Sequence, residues 1–385
     1  MKKLHYKCVK TGKTFPFTKD VFTNPEYSNY YNTLKLEYDY SNIKYPAKSC
    51  EHSWEKYIDL LPIDKVNVSF NEVKTPLIKL ENFGKEKRYT NLYVKDESRN
   101  LTDCFKDREG YVAINKAIEW NINKVFAVSS GNAALSTAAY AQIANLDFDC
   151  IVPVNLSVGK RFLISLYGAK IVSMTGDYET LYRWAIDSNY PGWNATPGYN
   201  PIKDEGPKLI GFEIFDDIDV PDVIIAPCGN GTLLYSIYKA FKELTILGLS
   251  NKMPRLVGVQ MQNASPLYNA FISGNDYEIL KDIPDSIAEG IIACESYSAP
   301  KLIEALEQTG GEIVQITEQE LVTALRKAVS TESLIPEPTA ASAFAAFDKI
   351  NLPNNQKIVI VQSAGGFKNL KEIMESFLEQ VTPNA

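Results

Sequence analysis

The sequence predicts an α/β protein built on parallel sheets with helices on both faces. Short apolar runs alternate with segments of helical period from about residue 75 onward, the pattern of strand–helix–strand units. Small polar and glycine residues sit where those strands hand over to helices, the turns in which such folds bind ligands. The 385 residues are enough for two domains or one large α/β unit.

Residues 1–75 are rich in Tyr, Asn and Lys, lack clean periodicity, and read as an N-terminal extension packed on the main body. "NLYVKDE" then reads as a strand, and "REGYVAINKAIEWNI" repeats Val112, Ala113, Ala117 and Ile118 at helical spacing. "KVFAVSS" is a buried strand followed by the Ala-rich helix "NAALSTAAYAQIANL". Next come strand "DCIVPV", helix "GKRFLISLYG", strand "AKIVSMT" and helix "DYETLYRWAID". Strand "PDVIIAPCG", helix "TLLYSIYKAFKEL", and strands "RLVGVQ" and "KIVIVQS" follow.

Composition narrows the function classes. The net charge of −7, with no basic stripe, argues against nucleic acid as a partner. No run of about 18 apolar residues marks a membrane span. The basic opening "MKKLHYKCVK" leads into no apolar stretch, so no secretion signal is read there. The six cysteines are scattered, as expected of reduced thiols in a cytoplasmic protein.

Four turns carry candidate chemistry. Lys106 stands at the start of a helix beside Phe105, where the positive helix end and partial burial disfavour an ammonium and leave an amine able to condense with an aldehyde. The plain alternative is a first-turn lysine facing water. In "SSGNAALS", Ser129, Ser130, Gly131 and Asn132 open a helix whose N–H groups suit a carboxylate, or simply cap it. In "APCGNGTLL", Gly229, Asn230, Gly231 and Thr232 form a phosphate cradle or a plain tight turn; the pattern is neither the dinucleotide nor the P-loop motif. In "VIVQSAGGFKN", Ser363 ends a strand where its hydroxyl can bond a ring nitrogen or merely close the turn. An aldehyde cofactor with a phosphate tail, a phenolic oxygen and a ring nitrogen uses all four, which is pyridoxal 5′-phosphate.

In this order the four turns resemble the β-family (fold type II) of pyridoxal-phosphate enzymes, with threonine synthases the most similar. "KDESRNLTDCFKDR" is similar to the family's lysine motif, "SSGNAA" to its asparagine loop, "PCGNGT" to its phosphate loop and "SAGGFKN" to its last cofactor turn. "EGPKLIGFEIFDD" and "ESLIPEPTAASAFAAF" also look like family segments. The resemblance implies two parallel-sheet α/β domains with the cofactor in the cleft between them. It implies a larger domain over 76–105 and 195–385, and a smaller one over 106–194. Lys106 would hold the cofactor as a Schiff base, Asn132 its 3′-oxygen, Gly229, Asn230, Gly231 and Thr232 its phosphate, and Ser363 its pyridine nitrogen. Ser129, Ser130, Gly131 and Ala133 would take the substrate carboxylate, while Lys160 and Arg161 are candidates for a substrate phosphate.

The implied activity is that of a lyase or synthase acting on an amino acid with a β- or γ-leaving group, converting O-phosphohomoserine and water to threonine and phosphate in a homodimer. Lys106 would also be the general base at Cα. Replacement on O-phosphoserine, as in cysteate synthases, serine/threonine dehydration, and a non-catalytic ligand-binding paralogue are the alternatives. The sequence departs from the motif at Leu101, Thr102, Asp103 and Cys104, and a side chain at Asp103 is expected to change the turn beside the lysine. "YKCVKTG" resembles half of a zinc knuckle with Thr11 in place of the second cysteine; His5, Cys8, Cys50 and His52 are irregularly spaced, and no metal is expected.

Overall fold

The computed structural model describes residues 2–27, 32–47, 53–281 and 283–378. Strands β1 (Leu4–Cys8), β2 (Thr14–Pro16) and β3 (Leu34–Tyr38) come first, then β4 (Leu77–Lys79), α1 (Glu81–Lys87) and β5 (Leu92–Asp96). Next are α2 (Lys106–Glu119), β6 (Lys124–Val128), α3 (Asn132–Ile143), β7 (Asp147–Pro153), α4 (Val158–Leu166), β8 (Lys170–Met174), α5 (Tyr178–Asp187) and β9 (Trp193–Asn194). Then follow α6 (Lys208–Ile218), β10 (Val223–Pro227), α7 (Thr232–Ile246), β11 (Arg255–Met261), α8 (Pro266–Ser273) and α9 (Ala299–Thr309). The last are β12 (Glu312–Ile316), α10 (Glu318–Glu332), α11 (Pro338–Ala345), β13 (Ile358–Gln362) and α12 (Leu370–Leu378).

These elements fall into two units. Unit 1 is Met1–Lys74, Asn100–Gly211 and Glu243–Leu249; unit 2 is Thr75–Arg99, Phe212–Lys242 and Ser250–Ala385. In unit 1 a parallel sheet runs β8-β7-β6-β9 around Phe126, Val128, Ile151 and Leu181. In unit 2 the order is β12-β11-β10-β13-β5-β4, parallel except for the edge strand β4. All residues of β10 and β13 are buried, as the apolar runs "VIIAP" and "IVIV" require of strands covered on both faces. Among the described residues no helix is long and apolar enough to cross a membrane.

The N-terminal region is more ordered than its composition suggests. β1–β3 form an antiparallel sheet with its own core of Tyr6, Cys8, Leu34, Leu36 and Tyr38. The period-2 signal in "LKLEY" is real, since Leu34, Leu36 and Tyr38 are the buried set, but Tyr- and Asn-rich neighbours mask it. This region packs on α2: Trp54 meets the Tyr111 ring edge-on, and the Asn115 side chain bonds the backbone of Asn67 and Val68. Lys208, fully buried in unit 1, bonds Glu205 at 2.7 Å and Glu243 at 2.8 Å, while the Tyr38 hydroxyl donates to Glu205 at 2.7 Å. Of the irregular His/Cys set, Cys50 and His52 lie outside the described residues. Among the described residues no group of three His, Cys, Asp or Glu could hold a metal.

Candidate active site

Lys106 is the first residue of α2, and the turn before it is held from both sides. The Asp107 carboxylate accepts from the Thr102 N–H at 2.6 Å and the Thr102 hydroxyl at 2.7 Å. The Arg108 guanidinium, fully buried, lies 4.6 Å over the Trp54 ring. Asp103 has φ +60°, so the turn beside the lysine is left-handed with a carboxylate side chain at that position. Aspartate is among the few side chains that tolerate that region. Cys104 is buried with its sulfur 3.5 Å from the Thr102 hydroxyl.

The Lys106 amine lies 4.6 Å from the Phe105 ring, as the sequence reading expected, and its side chain is 18% exposed. What the reading missed is its partner: Nζ donates to Glu109 Oε1 at 2.5 Å. Glu109 is fully buried, and its Oε2 faces Lys203 Nζ at 3.8 Å. Burial pushes Lys203 down to about 8, with the Glu109 charge opposing the shift. Glu109 stands three residues on from Lys106, the spacing that puts two side chains on one helix face, so a signal for it existed. Lys203 carried none, because only folding brings it to α2.

The asparagine loop belongs to the same unit. The Ser136 hydroxyl of α3 donates to the Lys106 carbonyl at 2.8 Å, tying α3 to the start of α2. Gly131 precedes α3 with φ −133°, and a Cβ built on it would meet nothing within 4 Å. Ser129 and Ala133 are buried and Asn132 half-buried. Lys160 and Arg161 lie in the first turn of α4, where the Ser157 side chain caps the Lys160 N–H. Arg161 spends its donors on its own surroundings: Nε to the Leu156 carbonyl at 2.9 Å, Nη2 to the Val154 carbonyl, and Nη1 to Ser173 at 3.3 Å. A cavity of about 510 Å³ in this unit, lined by Lys19, Phe22, Lys124 and Trp193 among others, contains none of the expected site residues.

In unit 2 the parallel register brings the glycine turn and Ser363 together. β10 pairs with β13 through Ile225 and Ile360, so both strands deliver their carboxyl ends to one edge. Next to them, β5 pairs Asp96 with Gln362, whose side-chain amide donates to Asp96 Oδ1 at 2.9 Å. The carbonyls of the glycine turn are engaged: Gly229 O accepts from the Ser296 hydroxyl at 2.7 Å and Asn230 O from the Ser298 N–H at 3.1 Å. The N–H groups at the start of α7 have no acceptor within the helix, so this end suits an anion. Gly231 has φ +88°, and a Cβ on Gly229 would lie 2.8 Å from the Gly290 carbonyl. Thr232 is buried with its hydroxyl 3.3 Å from Ser298, and Ser363 is buried at the end of β13. Each unit taken by itself offers groups of the kind pyridoxal 5′-phosphate uses: unit 1 an amine with a buried carboxylate partner and an open glycine before a helix, unit 2 an anion-ready helix start.

Residues 68–364 match the family model described as pyridoxal-phosphate dependent enzyme. The chain is 31% identical over 356 residues to threonine synthase of Methanosarcina acetivorans, covering 90% of this chain and 86% of that protein. It is also 31% identical to threonine synthase of Methanocaldococcus jannaschii, covering 94% of this chain and 92% of that protein. Among solved structures, an L-serine ammonia-lyase from Rhizomucor miehei has a TM-score of 0.70 at 20% identity, covering 80% of this chain and 98% of that one, a likeness of fold.

Proposed function

The chain belongs to the pyridoxal-phosphate-dependent enzyme family, and from that premise we propose a threonine synthase-like reaction: O-phosphohomoserine and water give threonine and phosphate. The identity to threonine synthases along nearly the whole chain carries this reading. The same likeness supports a phosphorylated amino acid as substrate and a cytoplasmic homodimer as the working form.

When bound, the cofactor's aldehyde and ring supply an electron sink for the substrate's α-carbon. The chain's own residues do the rest. Lys106 Nζ would hold the aldehyde, and its free amine would take and return the proton at the substrate Cα. Gly229, Asn230, Gly231 and Thr232 bind the cofactor phosphate with the N–H groups at the start of α7. Asn132 would donate to the cofactor's 3′-oxygen. Ser363 would bond the ring nitrogen without placing a full charge on it, which favours elimination and replacement over transamination. Ser129, Ser130, Gly131 and Ala133 receive the substrate carboxylate at the start of α3. Lys160 receives the substrate phosphate, with Arg161 fixing the loop that carries it through the Leu156 and Val154 carbonyls.

The test is a panel of O-phosphohomoserine, O-phosphoserine, serine and threonine, assayed for phosphate, ammonia and new amino acids. Phosphate and threonine from O-phosphohomoserine are expected. Phosphate from O-phosphoserine alone would make the enzyme a β-replacement catalyst, and ammonia from free serine or threonine a dehydratase. A colourless protein that borohydride cannot fix to pyridoxal 5′-phosphate would be a ligand-binding paralogue.

A further inference from the structure

Around Glu109 the charges do not balance in pairs. Two lysines flank one buried carboxylate, and they do so unequally. Lys106 makes a hydrogen bond of 2.5 Å to Oε1. Lys203, whose side chain is 1% exposed, stops 3.8 Å from Oε2, and that oxygen accepts no hydrogen bond. Lys203 Nζ instead donates to the Thr137 hydroxyl at 3.2 Å, a neutral group that itself bonds the Ala133 carbonyl. Closing the gap to Oε2 takes about 1 Å of lysine movement, well within the reach of a flexible four-carbon stem. Lys106 is partly exposed and can leave; Glu109 and Lys203 are enclosed and cannot.

We propose that Glu109 is a shared counter-ion that Lys106 and Lys203 occupy in turn, which makes Glu109 and Lys203 positioning residues for the reactive amine. Lys106 holds Glu109 while its amine is free. When Lys106 turns to an aldehyde, Lys203 moves onto Oε2 and the carboxylate is never left buried without a cation, a condition that would oppose the turn strongly. The chemistry balances: R–NH3+ and an aldehyde give a protonated C=N link and one water, so charge is conserved and only its position changes. The depressed proton affinity of Lys203 comes first from burial, with Glu109 opposing the shift and the nearby Lys106 charge adding to it. The inference rests on the cofactor reading above.

The experiment titrates cofactor-stripped protein with pyridoxal 5′-phosphate by absorbance, fixes the link with borohydride, and locates it by peptide mass spectrometry. Lys203→Met is expected to load at least about tenfold more weakly, because Glu109 then loses its second cation. Lys203→Arg, which keeps the charge, loads like the natural protein. The double variant Lys203→Met/Glu109→Gln recovers loading to within about threefold of it, since a neutral amide needs no cation. A packing defect at Lys203 would not be repaired by changing Glu109. The exchange is overturned if Lys203→Met loads normally, or if the double variant loads no better than Lys203→Met. Should the natural protein itself carry no label on Lys106, the cofactor reading falls and takes this one with it.

Discussion

Both candidate ligand turns pair a glycine with the start of a helix, yet their glycines are there for different reasons. In 229–232 the protein itself demands them. Gly231 sits at φ +88°, and a Cβ on Gly229 would press on the Gly290 carbonyl at 2.8 Å. The plain tight-turn account is therefore sufficient for those two residues, whatever else the turn binds. At 131 no contact in the protein demands glycine: φ is negative, and a Cβ would enter open space. Space that no protein atom uses is what a bound molecule needs. A glycine explained by the fold is weak evidence of function, and one the fold leaves unexplained is stronger.

The largest expected effect lies on the lysine side. Lys106→Ala should abolish borohydride-fixable cofactor and lower turnover by about a thousandfold or more, with the melting temperature nearly unchanged because the side chain is partly exposed. Near-normal turnover would remove Lys106 from the chemistry. Lys203 comes next. Burial holds it at about 8 against an ordinary 10.5, so the native state binds fewer protons than the unfolded chain between those values. Stability from this group is therefore lowest below about 8 and rises toward 10.5, by on the order of 3 kcal/mol. Denaturation at several pH values should show that rise in the natural protein relative to Lys203→Met; parallel curves would contradict the buried charge.

The two glycines then give the direct contrast. Gly231→Ala should cost about 1–3 kcal/mol in denaturant unfolding, because an L side chain is forced into the left-handed region. Gly131→Ala should change stability by less than about 0.5 kcal/mol while weakening cofactor or substrate binding measurably in titrations. If Gly131→Ala binds normally, or Gly231→Ala is as stable as the natural protein, the distinction between the turns is lost. The smallest effect concerns thiols. Burial pushes Cys150 and Cys228 up to about 12, so both should resist alkylation at pH 8 in the native state. Rapid labelling would show that β7, for Cys150, or the turn after β10, for Cys228, opens.

Local signals account for what could be read in advance. β6, β7, β10, β11 and β13 follow from their apolar runs, because strands covered on both faces must be continuously apolar, while the more exposed β8 and the helices α2, α3, α4, α5 and α7 follow from the strand–helix alternation. The four turns were legible because strand ends, glycines and a first-turn lysine are all neighbours along the chain. β1–β3 were not read, since they pair across turns and their two-residue period is diluted by tyrosines and asparagines. β12, α9 and α10 also passed unread. Glu109 was readable from helix spacing, and Lys203 was not.

The sequence by itself determined the class of fold, the order of the strands and helices from β5 to α5 and from β10 to β11, and the presence of an amine, small-residue helix starts and a strand-ending serine at strand carboxyl ends. Those are properties of short segments, where spacing and side-chain type suffice. Only the tertiary structure decided that a buried carboxylate separates Lys106 from a second lysine, that the turn at Asp103 is left-handed, and that Arg161 is consumed by carbonyls of its own loop. The physical reason is that charge pairing, burial and free space depend on distances in three dimensions, which residues far apart in the chain acquire only when it folds.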